Sequence, residues 1–508
     1  MTAQDRTVPT ADIVNLLAGI APGDPLDRLR DLRPQAKENA QRSFAALLEP
    51  EEPGAFTIPQ RYAVATFVAE VTGSDAARHF YGDVLEDEAP QDVVAAVDAA
   101  GAAAIESGPG IGVGGPTARD RVVGPYGDYP VPELAAENVP GPVFLLPAAS
   151  RRVLGEELAS ALEYAHLLVL HPRDSAPRHL SALLEAGWDE DGVVSLAQLV
   201  SFLSFQIRAA EGLAALGADA GRGKSDGRSG GASEAGDGAS EAAGSQPGDE
   251  SSEGGPSDDA AAHGAAGPDA RGGDVTAASP ETDESSSNAE DGLHERVTDY
   301  PALKRPERFR RGGLGWLPWI SPVPEAALTD RQREALVEES RTKSPYFRLL
   351  VRDPDALEAR TLTDFDIFYN TEGGLSRAER EVAATVASRL NGCLFCASIH
   401  SHRAVQEDEG YLDAVQRLLD AGVEVELRRG PDEAGLPTPE ADARWAAITA
   451  ASAALTRTPQ EFSAREVDAL HRAGLEDGEI IDMINGASFF NWANRLMLSL
   501  GEPERIGV

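Results

Sequence analysis

Cys393 and Cys396 are the only cysteines in this 508-residue chain, and His400 stands four residues beyond the second. On a helix, at about 100° per residue, the three fall near 0°, 300° and 340°, which is a single face. They can therefore meet one another. A histidine one turn from a thiol can take its proton, and a helix N-terminus favours the thiolate, so both depress a thiol pKa. A two-cysteine peroxidase needs one sulfur to attack an O–O bond and a neighbour to resolve the resulting sulfenic acid as a disulfide. Glu381 lies twelve residues before Cys393. A helical hairpin would return its carboxylate to the cysteine face, where it could orient His400 or relay a proton; taken alone, it also reads as a solvated residue at a charged helix start.

Other chemistries fit these residues less well. His402 would complete a superficial Cys₂His₂ set, but at about 180° it points away from the other three, and one ion could not collect all four on a single helix. No metal is expected. A thioredoxin-type CxxC needs a βαβ setting, which is absent. Two buried core cysteines remain the plainest structural alternative. Gly110, Gly112 and Gly115 satisfy GxGxxG, but no strand precedes them and Pro116 follows, so a dinucleotide site is rejected.

The elements that must position the thiols read as helices. LSRAEREVAATVASRLN places Ser376 as an N-cap with Glu379 three residues on, a capping box, and Asn391-Gly392 ends the run just before Cys393. Further helices are expected in GYLDAVQRLLDAG, EADARWAAITAASAAL, SAREVDALHRAG and EIIDMINGASFFNWANRLMLSLG, with Gly422, Gly474 and Gly501 as stops. Strand alternation is scarce, so the fold class is all-α.

Length suggests roughly two to four domains. From Gly217 to Gly292 the chain is Gly, Ala, Ser, Asp and Glu with a single Val275 and no larger apolar side chain, a composition that cannot bury a core. This segment holds 17 acidic and four basic residues, so it carries 13 of the 39 net negative charges. The expected organisation is a domain over 1–216, a disordered acidic linker over 217–292 and a second domain over 293–508. A net charge of −39 leaves no broad positive surface for nucleic acid or anionic lipid. The N-terminus lacks a basic start with an apolar run, and no stretch of about 18 apolar residues occurs, so a cytoplasmic protein without a membrane partner is expected. Two cysteines exclude a disulfide framework.

The two regions resemble each other. Arg61 to Tyr81 align without gaps on Arg380 to His400, with Gly73 on Gly392, and Ala186 to Arg208 align on Ala473 to Arg495. Two blocks in the same order point to duplicated, tandem helical domains. Under this repeat Glu381, Cys393, Cys396 and His400 fall on Tyr62, Ser74, Ala77 and Tyr81. None of the thiol chemistry survives in the first copy, where His79, Tyr62 and Tyr81 either line a pocket or fill a core.

The pattern of a Glu, eleven residues and CxxCxxxH resembles the AhpD-like alkylhydroperoxidases of the carboxymuconolactone decarboxylase superfamily, and Glu381, Cys393, Cys396 and His400 satisfy it at every spacing. The resemblance implies a peroxidatic Cys396, a resolving Cys393, and His400 and Glu381 as the proton relay. Phe395 stands where the best-studied members have His, a departure that looks like the peroxidase-related branch and implies a different substrate or reductant. The first region looks like a cysteine-free, carboxymuconolactone-decarboxylase-like copy. The implied protein is a thiol-dependent peroxidase of organic or hydrogen peroxide, needing no bound cofactor, recharged by an external dithiol or redox-protein reductant, and assembled as a trimer or hexamer-like homo-oligomer. Two alternatives are a decarboxylase or lactone-processing enzyme working without thiols, and a redox scaffold presented by its linker to a partner.

Overall fold

A computed structural model describes residues 12–106, 123–226 and 296–506. The loop bearing Gly110, Gly112 and Gly115, and most of the acidic linker, lie outside the described residues. Helices dominate. In the first half the longer ones are α1 (Pro34–Leu48), α2 (Ile58–Thr72), α3 (Asp75–Glu88), α4 (Gln91–Glu106), α5 (Ala148–Leu170, interrupted at Gly155), α6 (Pro177–Ala186) and α7 (Glu190–Asp226). In the second half they are α8 (Pro354–Phe368), α9 (Arg377–Asn391), α10 (Leu394–Glu407), α11 (Leu412–Ala421), α12 (Pro439–Thr456), α13 (Ala464–Arg472) and α14 (Asp477–Ser499). Helix α7 continues to Asp226, into the segment whose composition suggests linker.

Taken in chain order, the seven helices of the first series pair off with the seven of the second. The correspondence is close where the sequence repeat is ungapped: α2 and α9 each have 15 residues and α3 and α10 each have 14. Between them the chain turns on Gly73 (φ 77°) and Gly392 (φ 81°). A side chain disfavours this left-handed conformation, which is why both copies end the helix in glycine. Pro59 and the Thr57–Gln60 box start α2, whereas α9 starts on Ser376, whose Oγ accepts the Glu379 amide at 3.3 Å. Only half of the expected box forms there, because the Glu379 carboxylate is held instead by Arg444 at 2.6 Å and by the Ser376 hydroxyl at 2.8 Å.

The two halves pack as one compact unit, and their contacts are reciprocal. In α7 the Arg208 guanidinium donates to Ser204 O at 3.0 Å and across to Thr456 O of α12 at 3.3 Å. In α14 Arg495 donates to Asn491 O and across to Val169 O of α5, both at 2.9 Å. Arg208 and Arg495, and Ser204 and Asn491, correspond under the second repeat block, and Thr456 and Val169 keep the same offset outside it. Both arginines are buried, and the carbonyls they reach across the seam, Thr456 O and Val169 O, lie at helix C-termini, where partial negative charge accumulates. Phe202 and Phe205 meet Trp492 at 5.2 and 5.5 Å and Phe205 meets Phe489 at 6.2 Å, so the aromatic centre of the core is shared between halves. At its edge α1 packs on α8, Arg33 binds Asp482 at 2.8 Å, and Ser195 donates to Asp353 at 2.8 Å. Such exchange is the pattern of an isologous dimer interface, here within one chain.

One feature of the second half was not legible as a repeat. Strand β1 (Leu314–Pro318) pairs antiparallel with β2 (Gly501–Arg505), Trp316 opposite Pro503, and ties the end of α14 to the start of this half. The strands are short, contain Gly and Pro, and find each other only through the fold, so local alternation could not announce them. Glu190–Asp219 is apolar and long enough to cross a membrane, but its apolar window is wholly buried inside the protein.

Candidate active site

The thiols sit where α9 hands over to α10. After Gly392 the Cys393 amide donates back to Ser388 O at 2.9 Å, closing the end of α9, and the Cys393 carbonyl accepts the Ala397 amide at 3.0 Å, opening α10. Cys393 is therefore the N-cap, with extended backbone angles, and Cys396 is the third residue of the helix. This refines the single-helix projection, since Cys393 stands half outside it. The two Sγ atoms are 3.0 Å apart and both thiols are free. A disulfide needs about 2.05 Å, so closing the bond requires a movement of roughly one ångström.

A buried polar network fixes this turn. Asn391 Nδ2 donates to Asn491 at 3.2 Å and Asn494 at 3.0 Å, and Asn494 Nδ2 donates to Ser388 Oγ at 3.0 Å. All four residues are fully buried, and the bonds lock the end of α9 to α14. Neither Asn491 nor Asn494 carries a sequence signal, because nothing local marks a helical Asn as a strut.

The hairpin does return Glu381 to the cysteine helix. Its Oε2 lies 2.6 Å from His400 Nδ1, and its Oε1 accepts from Arg377 Nε at 2.7 Å. Glu381 is only 1% exposed, which removes the reading as a solvated residue. Burial pushes its carboxyl up, but His400 and Arg377 outweigh that effect and hold it below its ordinary value. A carboxylate on Nδ1 leaves Nε2 as the free nitrogen of the ring. Phe490 stands edge-on to His400 at 4.0 Å and Phe368 lies at 5.9 Å, so apolar walls limit how the imidazole can turn.

Burial separates the two sulfurs. Cys393 is 1% exposed against 5% for Cys396. Burial, then the neighbouring Cys396, pushes the Cys393 thiol well above its ordinary value, although the amides of Phe395 and Cys396 partly oppose this. Arg377 stacks on Tyr369 at 4.2 Å, and the buried Tyr346 hydroxyl has no hydrogen-bond partner among the described residues and feels both cysteines. Arg377 could have been found from its spacing four residues before Glu381. Tyr346 and Phe490 come from remote segments and carried no such signal. His402 is exposed and lies against Gly312, and Phe395 is partly buried on the core.

The first half presents the same frame with other contents. Tyr62 is buried and donates to Glu49 at 2.7 Å; Tyr81 is fully buried and bonds to Gln206. Their rings lie 6.4 Å apart, Ser74 stands at the N-cap position of α3 without a side-chain cap bond, and Ala77 is buried. Both tyrosines serve as core residues. His79 faces outward with Nδ1 2.7 Å from Asp75 O.

Residues 354–410, spanning α8 to α10 and all four site residues, match the model of the carboxymuconolactone decarboxylase family. No curated protein and no solved structure matches the chain.

Proposed function

We propose that this chain, whose residues 354–410 carry a carboxymuconolactone decarboxylase family segment, is a thiol-dependent peroxidase. The supporting observation is the free thiol pair 3.0 Å apart beside a direct Glu381–His400 contact of 2.6 Å. Cys396 is the attacking sulfur in this reading: it is the more exposed of the two and stands at the third helical position, at the positive end of the helix dipole. The thiolate attacks the distal oxygen of a hydroperoxide, the O–O bond breaks, and an alcohol leaves with a proton delivered through His400. Cys396 is then a sulfenic acid. Cys393 gives its proton to His400 and displaces hydroxide from that sulfur, His400 passes the proton on to make water, and a Cys393–Cys396 disulfide results. An external dithiol restores both thiols by exchange. His400 moves the protons, with Glu381 fixing its orientation and balancing its positive charge, and Arg377 holding Glu381 in turn.

The test is mass spectrometry of the whole protein after one equivalent of peroxide. A loss of two hydrogens localised to Cys393 and Cys396 is expected; unmodified thiols would remove the reading. The family description favours a second activity, decarboxylation without thiols, and that activity would survive alkylation of both cysteines.

A further inference from the structure

Beside the thiol turn lies a cavity of about 360 Å³ that the reaction above does not use. That size is at the lower end of the range for small-molecule sites, about 300–1,000 Å³. Tyr129, Arg173 and Ser175 of the first half and Trp319, Gly392 and Leu394 of the second contribute to its wall. It thus touches both neighbours of Cys393 but neither sulfur.

Its polar side is incompletely satisfied. Arg173 is 9% exposed, and its guanidinium donates only to main-chain oxygens: Leu390 O at 2.8 Å, Glu137 O at 3.3 Å and Pro125 O at 3.4 Å. Its Nε is buried without a partner, and among the described residues no carboxylate lies within 4.0 Å of it. Asp174 feels this charge but is engaged by His171 at 2.9 Å and by the Asp128 amide at 2.6 Å. Arg305 across the cavity already pairs with Glu502 at 2.6 Å. The Ser175 hydroxyl is also buried with no partner among the described residues. Arg173 Nε and Tyr129 Oη converge on Gly392, where a Cβ would stand 3.1 and 3.2 Å from them. A buried cation without a counter-charge is costly, and an entering anion would supply the missing partner.

We propose that this cavity binds a small amphipathic carboxylate, its head group on Arg173 with Ser175 and Tyr129, its tail against Leu394, Trp319 and the adjoining Val131. The site stands independently of whether the thiols reduce peroxide. Isothermal titration of the full chain with octanoate should give saturable binding of one molecule per chain, with octanamide at least about tenfold weaker because it lacks the charge. Arg173→Gln should weaken octanoate by a similar factor. Val131→Trp, which fills the cavity and leaves the cation in place, should abolish binding; it decides the matter if Arg173→Gln fails to fold by circular dichroism. Absence of saturable binding, equal affinity for octanoate and octanamide, or undiminished binding in the folded variants would overturn the proposal.

Discussion

The turn at Gly73–Ser74 and the turn at Gly392–Cys393 have the same helix lengths on either side and the same left-handed glycine, yet one is core and the other is a candidate reaction centre. The difference lies in which side chains fill a shared frame. Where Glu381 reaches inward to His400, Tyr62 reaches Glu49; where His400 stands free at Nε2, Tyr81 is tied to Gln206. The supporting shell differs as well. The Asn391–Asn491–Asn494 network of the second half falls, under the repeat, on Thr72, Ser204 and Ile207, which cannot form it. A helical hairpin is thus a neutral scaffold, and a polar network behind the turn distinguishes the half that carries ionisable groups.

The sharpest way to break this comparison is at the paired thiol positions. Cys396→Ser should lower peroxide turnover by on the order of 10³-fold or more, as loss of an activated nucleophile does, while Ala77→Ser at the equivalent position leaves it unchanged. Steady-state peroxide consumption by both variants reads this directly, and equal effects would dissolve the asymmetry.

Next in size is the seam between halves. Trp492→Ala should cost about 3–5 kcal/mol, since the ring is fully buried against Phe202 and Phe205 of the other half. Denaturant unfolding should stay a single transition at a lower midpoint, because both halves share that core. Two separated transitions would mean that the halves fold independently.

Glu381→Gln tests the relay and should slow turnover by about 10²-fold. It also predicts a pH dependence. Glu381 is held below its ordinary value in the folded protein, so its ionic pairings stabilise the fold above the usual carboxylate range, and this contribution disappears as pH falls through the lowered folded value. The stability gap between the parent and Glu381→Gln, followed by urea titration, should therefore close on acidification; a gap that widened would reverse the assignment.

The smallest expected effect is at the helix that delivers Glu381. Ser376→Ala removes the cap on α9 and should cost about 1 kcal/mol in thermal unfolding, whereas turnover should change little because the Glu381–His400 contact lies a turn further in.

Legibility followed the range of the interactions. Cys393, Cys396, His400 and Glu381 were visible because helical spacing is local, and the structure brings Glu381 and His400, and the two sulfurs, into direct contact. The glycine stops and the order of the helices were visible for the same reason. Phe490, ninety residues from His400 in the chain, was not, and neither were the short sheet and the Asn struts.

The sequence by itself determined the helical class, the repeated helical frame and the set of reactive side chains, because capping, periodicity and turn glycines act over a few residues. Only the tertiary structure decided that the two halves share one core through reciprocal Arg208 and Arg495 bonds, that Cys393 is the deeper sulfur, and that Arg173 nearby has no counter-charge among the described residues. These depend on which distant surfaces exclude water together. Burial is a property of the packed chain, and no spacing of residues along the sequence encodes it.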